Sequence, residues 1–563
     1  LVANSPVAND TFPSTGNFVA GNGTIHDPMN GQMTIEQSTP SGIINWSGGF
    51  NVGANATVNF KGPQDFNTLN YDPSGNMSQI YGTINAQGGN IYIVNPSGVE
   101  IGNSAQINVG SLYVSNKKLD NELENIENKD NPNIGTIMSH GTIGDAVLMS
   151  LGNINANTVT FEGNRIVIDT ERIKDESGDI KLVDIDNGQN ITIRTTNENN
   201  VVIGYKGYDE DNNAYNTQDV SYNVTKINDD GSTTAKTVKG YMWVEDVEQL
   251  QAIGASADTL DGNYALRNSI DATATKEWNS GAGFNSIGTK DKAFTGKFDG
   301  LDYNIFNLNI NRGTEENVGL FGVVGEGAVI NNVTLVGGSI TGQNNVGALA
   351  GSVQGGAHIS NITNSASVTG ASNVGGIVGA SVGTEEHRTV YDSLINTGTI
   401  TSSGADDKKG GYISNAGGLI GYLKQGDLGG TSYNLGAVTG RTENDGSMIV
   451  GYNVGGLVGH AVNSVIGNED MIDEGGNVIA EGTTVYNRLN VTGAYNVGGI
   501  VGNMEGTKVY NAENSGNIST AGSTSETYVY HTADKTYDKM KGAKDDGIAQ
   551  VDVLVSNVGG DCR

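Results

Sequence analysis

Apolar and polar residues alternate in short runs along most of this chain, and Gly, Asn or Ser closes each run. Asn164-Arg165-Ile166-Val167-Ile168-Asp169 and Gln189-Asn190-Ile191-Thr192-Ile193-Arg194 are examples, as are Ile359 and Ile362 followed by Ala366 and Val368. A period of two bounded by turn formers is the signature of short strands. Only Val244, Val247, Leu250 and Ile253, spaced at threes, suggest a helix.

The strands belong to a repeat. Asn317-Val318-Gly319-Leu320-Phe321-Gly322 recurs as Asn345-Val346-Gly347-Ala348-Leu349-Ala350-Gly351 and Asn373-Val374-Gly375-Gly376-Ile377-Val378-Gly379, with later copies opening at Asn415, Asn453 and Asn496 and a broken copy at Asn557. The start-to-start spacings are 28, 28, 42, 38, 43 and 61, so a unit near 28 residues carries polar insertions. Insertions between fixed units point to loops on a solenoid. Three strands per unit with tight corners describe one coil of an all-β, three-sided parallel β-helix. Glycines are expected to supply positive φ at the corners, and the opening Asn to lie inside the coil in an amide ladder. The polar insertion Asn463–Gly482 is expected to be removable without loss of the stack.

Composition sharpens this picture. Glycine is 83 of 563 residues with only 8 prolines and no three-residue period, which excludes collagen. The 62 acidic against 31 basic side chains give a net charge of −31, which repels phosphate backbones, so no nucleic-acid partner is expected. The low apolar fraction of 36% favours an elongated monomer over several globular cores. No stretch approaches the roughly 18 apolar residues of a membrane helix. The start Leu1-Val2-Ala3-Asn4 implies a signal peptide already removed, and the end at Asp561-Cys562-Arg563, inside a repeat, implies truncation of a longer protein.

The pattern divides the chain into residues 1–115; a charged insertion or linker at 116–134; further coils with polar loops at 135–240; a junction module at 241–312; and the repeats at 313–563.

The first segment resembles the secretion domain of filamentous haemagglutinin-like exoproteins of two-partner secretion systems. The matching residues run in order: Ile43-Ile44-Asn45-Trp46, Phe50-Asn51-Val52-Gly53, Val58-Asn59-Phe60, Leu69-Asn70, Ile80-Tyr81-Gly82, Asn95-Pro96-Ser97-Gly98-Val99, and Ala105 with Asn108-Val109-Gly110. Ser97 stands where the family has Asn, and Tyr71 where it has Arg. The repeats resemble the GLUG motif of bacterial adhesins, and Phe294-Thr295-Gly296-Lys297-Phe298-Asp299-Gly300 resembles the segment preceding it. The resemblance implies a right-handed parallel β-helix, with the secretion domain continuous with the GLUG coils, exported through an outer-membrane transporter that recognises the N-terminal domain. It places transporter recognition at Asn45, Trp46, Asn51, Gly53, Asn95, Pro96, Ser97 and Gly98. It implies an adhesin secreted to, or displayed on, the surface of a two-membrane bacterium, meeting a receptor or glycan on a host or neighbouring cell. The stalk of a contact-dependent toxin and a haem-capturing exoprotein are the alternatives.

No catalytic residue, metal or cofactor is expected. The six histidines never form His-Glu-x-x-His, and no Gly-x-Ser-x-Gly elbow comes with a supported triad. Asp184-Ile185-Asp186 and Asp209-Glu210-Asp211-Asn212-Asn213 offer oxygens to calcium, but Ala214 replaces the glycine an EF-hand loop needs, and solvated loops are the simpler reading. On residue types alone, Asn95-Pro96-Ser97-Gly98 is a type I turn.

Overall fold

In the computed structural model, the described residues are 6–174, 191–406, 412–441, 453–493 and 496–520, with the strands at 528–531, 536–539 and 548–550. Asp184 to Asp186, the copy at Asn557 and Cys562 fall outside them. The chain divides into two compact units. One comprises Ala3–Gly207 and Gln218–Met242, the other Tyr208–Thr217 and the residues from Trp243 onward. Both are parallel β-helices, as the alternation predicts.

The first unit has three faces. Residues Ile44, Asn70, Ile93, Val114, Phe161 and Ile193 stack in register on one face, pointing inward. Val52, Ile80, Ile101, Ser150, Ile168 and Ile203 align on the second. On the third, Asn59, Asn85, Asn108 and Asn155 form a half-buried amide ladder, each Nδ2 donating to the Oδ1 of the coil before at 2.7–3.0 Å. Coils buried on both edges explain why the core holds Ile, Val and Phe almost throughout. The open end is covered by antiparallel strands, Gly16–Ala20 on Ser41–Trp46 and Gly23–Ile25 on Gln32–Gln37, which removes a free edge.

Residues 116–146 interrupt this stack and fold over the outside of the first face. Helices Asp120–Glu124 and Ile134–Met138 bring Leu119, Ile134, Ile137 and Met138 onto Ile43, Leu69, Tyr71 and Val94, a second apolar layer. Glu162, buried in the outward column of that face, takes Lys117 Nζ at 3.2 Å and Arg194 Nε at 3.0 Å, and so ties the insertion to two later coils.

In the second unit the helix expected near Val247 is present as Val247–Ala252, capped by the Asp246 side chain, which accepts from Gln249 N at 2.8 Å. The repeat coils that follow have four β-segments, not three. In one coil they are Ala350–Gln354, His358–Asn364, Ser367–Gly370 and Ser372–Gly375. The extra segment is the Asn-Val-Gly signature itself, which the sequence pattern merges with the strand after it.

The amide ladder forms at a corner of the coil, where Asn415 and Asn453 are buried as expected, while Asn345 and Asn373 are half-buried and Asn496 is exposed. Asn345, Asn373, Asn415, Asn453 and Asn496 each donate to the Oδ1 of the equivalent Asn one coil back, at 2.8–3.0 Å. At this corner asparagine, not glycine, takes the left-handed backbone, with φ of 58° at Asn317, 59° at Asn345, 53° at Asn373 and 46° at Asn496. A second ladder, unforeseen, is fully buried. Asn364, Asn396, Asn434, Asn487 and Asn514 run through the core, each donating to the next at 2.7–3.0 Å. Each also closes a ring onto the residue two places on; Asn434, for example, donates to Gly436 O at 2.7 Å and accepts from Gly436 N at 3.1 Å. The glycines have another task here: a Cβ at Gly376, Gly418, Gly456 or Gly499 would collide with the side chain of this ladder. In the two preceding repeats the equivalent positions are Ala348 and Leu320.

The insertion at Asn463–Gly482 is not removable as a whole. Val465–Ile466 is a ladder strand, pairing with Asp427 and Leu428 on one side and Lys508 and Val509 on the other. What protrudes is a hairpin of Met471–Ile472 and Val478–Ala480. Its base is closed by Asp470 Oδ1, which accepts from Gly482 N and Asn511 Nδ2, both at 2.8 Å. Deleting residues 471–480 is expected to change the unfolding free energy by less than about 1 kcal/mol, as exposed changes do. Deleting 463–482 should abolish cooperative unfolding, followed by circular dichroism in urea.

Candidate functional site

Seven of the eight residues singled out from the sequence gather along one corner of the first unit, while Gly53 follows Val52 at the far end of the second face. Registers Asn45 to Tyr71, Tyr71 to Val94 and Val94 to Ser115 place Trp46, Asp72, Asn95 and Asn116 in one column, one per coil. The column is joined by buried hydrogen bonds. Trp46 Nε1 donates to Asn70 Oδ1 at 3.0 Å, and its ring leans on Phe50 at 5.6 Å. Phe50 N and Ser78 Oγ both donate to Asp72 Oδ2 at 2.7 Å. Asn95 Nδ2 donates to Ser78 Oγ at 3.0 Å and to Asn76 O at 2.8 Å. Three successive coils are thus held by a carboxylate and an amide at full burial.

The Asn95–Gly98 turn has the expected form. Gly98 N donates to Asn95 O at 2.9 Å, and Ser97 N to Asn95 Oδ1 at 2.8 Å. Gly98 has φ of 100°, and a Cβ there would lie 2.6 Å from Val147 O, so the glycine is required twice over. Asn51 Oδ1 accepts from Gln79 N at 2.8 Å. Gly53 donates to Thr11 O at 2.8 Å, and a Cβ on it would strike the Ala8 and Asn9 carbonyls. Gly16 is needed similarly, because its Cβ would enter the Trp46 ring.

Burial sorts these residues into two groups. Trp46, Gly53, Asn95 and Gly98 are buried, whereas Asn45, Asn51, Pro96 and Ser97 are half-buried and present surface. The strand bearing Asn45 and Trp46 is covered along one edge by Gly16–Ala20, with Asn17 opposite Asn45. Asp72, Ser78 and Asn70 are central members of this corner that lie outside those eight. Asp72-Pro73-Ser74-Gly75 is a turn signature like Asn95-Pro96-Ser97-Gly98, one coil earlier, and that likeness was the available signal.

Tyr71, beside the column on the outward side, is covered by the insertion. Its hydroxyl donates to Asp120 Oδ1 and accepts from Leu119 N, both at 3.1 Å, and burial pushes its pKa well above the usual phenol value. Elsewhere, Asp209 accepts from Asp211 N at 2.9 Å and from Asn212 Nδ2 at 2.6 Å, bonds that hold its carboxyl below the usual range and close an Asx turn. Among the described residues no three His, Cys, Asp or Glu side chains converge as a metal-holding group. No described helix is long and apolar enough to cross a membrane.

Comparison with known proteins bears on the first unit as a whole. Residues 13–235 match the TPS secretion domain family. The heme/hemopexin-binding protein of Haemophilus influenzae is 30% identical over 174 residues, 30% of this chain and 19% of that protein. Halomucin of Haloquadratum walsbyi is 40% identical over 129 residues, 22% of this chain and 1% of that protein. The chain therefore spans a fifth or less of the length of these relatives. The crystal structure of the HMW1 secretion domain from Haemophilus influenzae aligns over 89% of this chain and 98% of its own, at 14% identity and a TM-score of 0.24. Over residues 13–235 the chain is thus similar to the TPS secretion domain family.

Proposed function

We propose that this chain is the N-terminal portion of a bacterial surface adhesin, exported through an outer-membrane transporter and built to hold loops away from the cell. The match at residues 13–235 carries the export half of this reading. Residues 1–115, together with the coils that continue to 235, serve secretion; 116–134 open the insertion, 135–240 continue the coils, 241–312 form a junction, and the repeats from 313 are GLUG units forming the stalk. The loop best suited to meet a receptor on a host or neighbouring cell is the hairpin at Met471–Ala480. It carries Met471, Ile472, Val478 and Ile479, four of the eight large hydrophobics exposed in the described chain.

The transporter meets the chain before it folds, when the strand Ser41–Trp46 still lacks Gly16–Ala20 on its edge and is free to add to another sheet. Asn45 projects from that strand and is half-buried in the folded unit, so Asn45→Ala separates recognition from stability. Co-expressed with the cognate transporter, Asn45→Ala should lower secreted protein about tenfold while the purified protein loses no more than about 0.5 kcal/mol of stability. Asn95→Ala, which strips three side-chain bonds, one buried and two part-buried, should lower both. Equal secretion of Asn45→Ala and the parent would remove the recognition role.

The relative named for heme and hemopexin binding favours a second reading, haem capture. Titration with hemin tests it: a Soret shift saturating at one equivalent supports capture, and an unshifted spectrum removes that reading.

A further inference from the structure

The insertion at 116–146 covers the first unit's outer face incompletely. Between its loop 125–133 and the sheet lies a cleft of about 840 Å³, floored by Tyr92 and walled by Glu122, Asn125, Ile126, Asn131 and Ile137 among others. That volume is within the range of sites for small ligands. Three features mark it as built. Its wall is tied to the sheet from both sides: Gly21 N donates to Lys129 O at 2.6 Å, and Ser41 N to Asn131 Oδ1 at 3.0 Å. The loop is held internally, with Asn128 Oδ1 accepting from the backbone N–H of Asp130 and Asn131, both at 3.2 Å. Its floor is rigid, because Tyr92 stacks on Tyr113 with centroids 5.3 Å apart.

The lining selects a chemistry. No lysine or arginine lines the cleft while Glu122 and Glu127 do, which disfavours an anion. Asn131 uses its Oδ1 on Ser41 N, and Asn133 its Oδ1 on Thr136 N at 3.1 Å, leaving their Nδ2 donors for a ligand. Amide donors beside carboxylate acceptors suit groups that both give and receive hydrogen bonds, which is the behaviour of hydroxyls. The Tyr92 ring with Ile126 and Ile137 offers an apolar floor for C–H groups. We propose that this cleft binds a neutral oligosaccharide, resting against the exposed part of the Tyr92 side chain and hydrogen-bonded by the asparagines and glutamates of the insertion. The site is independent of the export reading and of the stalk loops.

The test is titration of the purified chain, by calorimetry and saturation-transfer NMR, with neutral oligomers of N-acetylglucosamine, galactose and mannose. Sialyllactose and spermidine serve as anionic and cationic comparators. At least one neutral oligomer should bind more tightly than either comparator. Tyr92→Ala should weaken it at least tenfold, Tyr92→Phe should retain it, and Asn125→Ala, an exposed change, should weaken it several-fold with an unaltered unfolding midpoint. Absence of binding by every neutral oligomer, tighter binding of a charged comparator, or parent-like binding by both Tyr92→Ala and Asn125→Ala would each overturn the proposal.

Discussion

Replacing Asn434 by alanine should destabilise the repeat unit by about 3–5 kcal/mol, because it breaks a buried amide ladder in the middle. Asn434 accepts from Asn396 Nδ2 at 2.9 Å and Gly436 N at 3.1 Å, and donates to Gly436 O at 2.7 Å and Asn487 Oδ1 at 2.8 Å. Alanine leaves these partners in a core that water does not reach, and each buried group without a partner costs roughly 1–3 kcal/mol. Part is recovered by relaxation, since Asn396 Nδ2 still donates to Gly398 O at 2.9 Å. Urea denaturation followed by circular dichroism gives the value; a loss below about 1 kcal/mol would mean that the ladder is decorative. Asn434→Asp sharpens the test. Its ionised carboxylate would face Gly436 O and Asn487 Oδ1 with nothing to donate, so burial raises its folded pKa above the unfolded one. Stability of that variant should therefore improve as the pH falls through the folded pKa, where the protonated group regains a donor.

Glu162→Ala is the second large effect expected, about 3–5 kcal/mol. The Glu162 side chain is 1% exposed and that of Lys117 9%, so removal of the carboxylate leaves a buried ammonium that, among the described residues, keeps its bond to Met138 O at 2.6 Å. Ser115 Oγ also loses its acceptor, at 3.2 Å. The partners lie on different segments, Lys117 in the insertion and Arg194 two coils from Ser115, so the insertion should loosen first and be cut by protease between 116 and 146. Lys117→Met combined with Glu162→Leu removes both charges and should recover much of the loss, as apolar replacement of buried pairs often does. If Glu162→Ala resisted protease like the parent, the pair would not be what fastens the insertion.

Alternation alone was enough to read strands, and recurrence of Asn-Val-Gly enough to read stacked coils, because one coil cannot bury its inward residues without the next. The turn at Asn95–Gly98 was also legible, since Asn, Pro and Gly each carry their own backbone preference. What repeats in space but not in an evident motif was not legible. The buried ladder of Asn364, Asn396, Asn434, Asn487 and Asn514 hides in segments whose spacing varies with insertion length, and a polar residue in an alternating run does not say which face it takes. Only stacking decides that Asn434 sits under its equivalents with every bond satisfied, and that Gly418 is glycine because Asn434 lies against it. The same holds at the candidate site. Local rules predict Asp72 as a turn residue, whereas register decides that its carboxylate falls between Phe50 N and Ser78 Oγ, one coil from Asn95. The charged stretch from Asn116 gives no strand signal because its partners, Tyr71 and Glu162, are 45 or more residues away from Asn116 along the chain, and only the fold brings them beneath it.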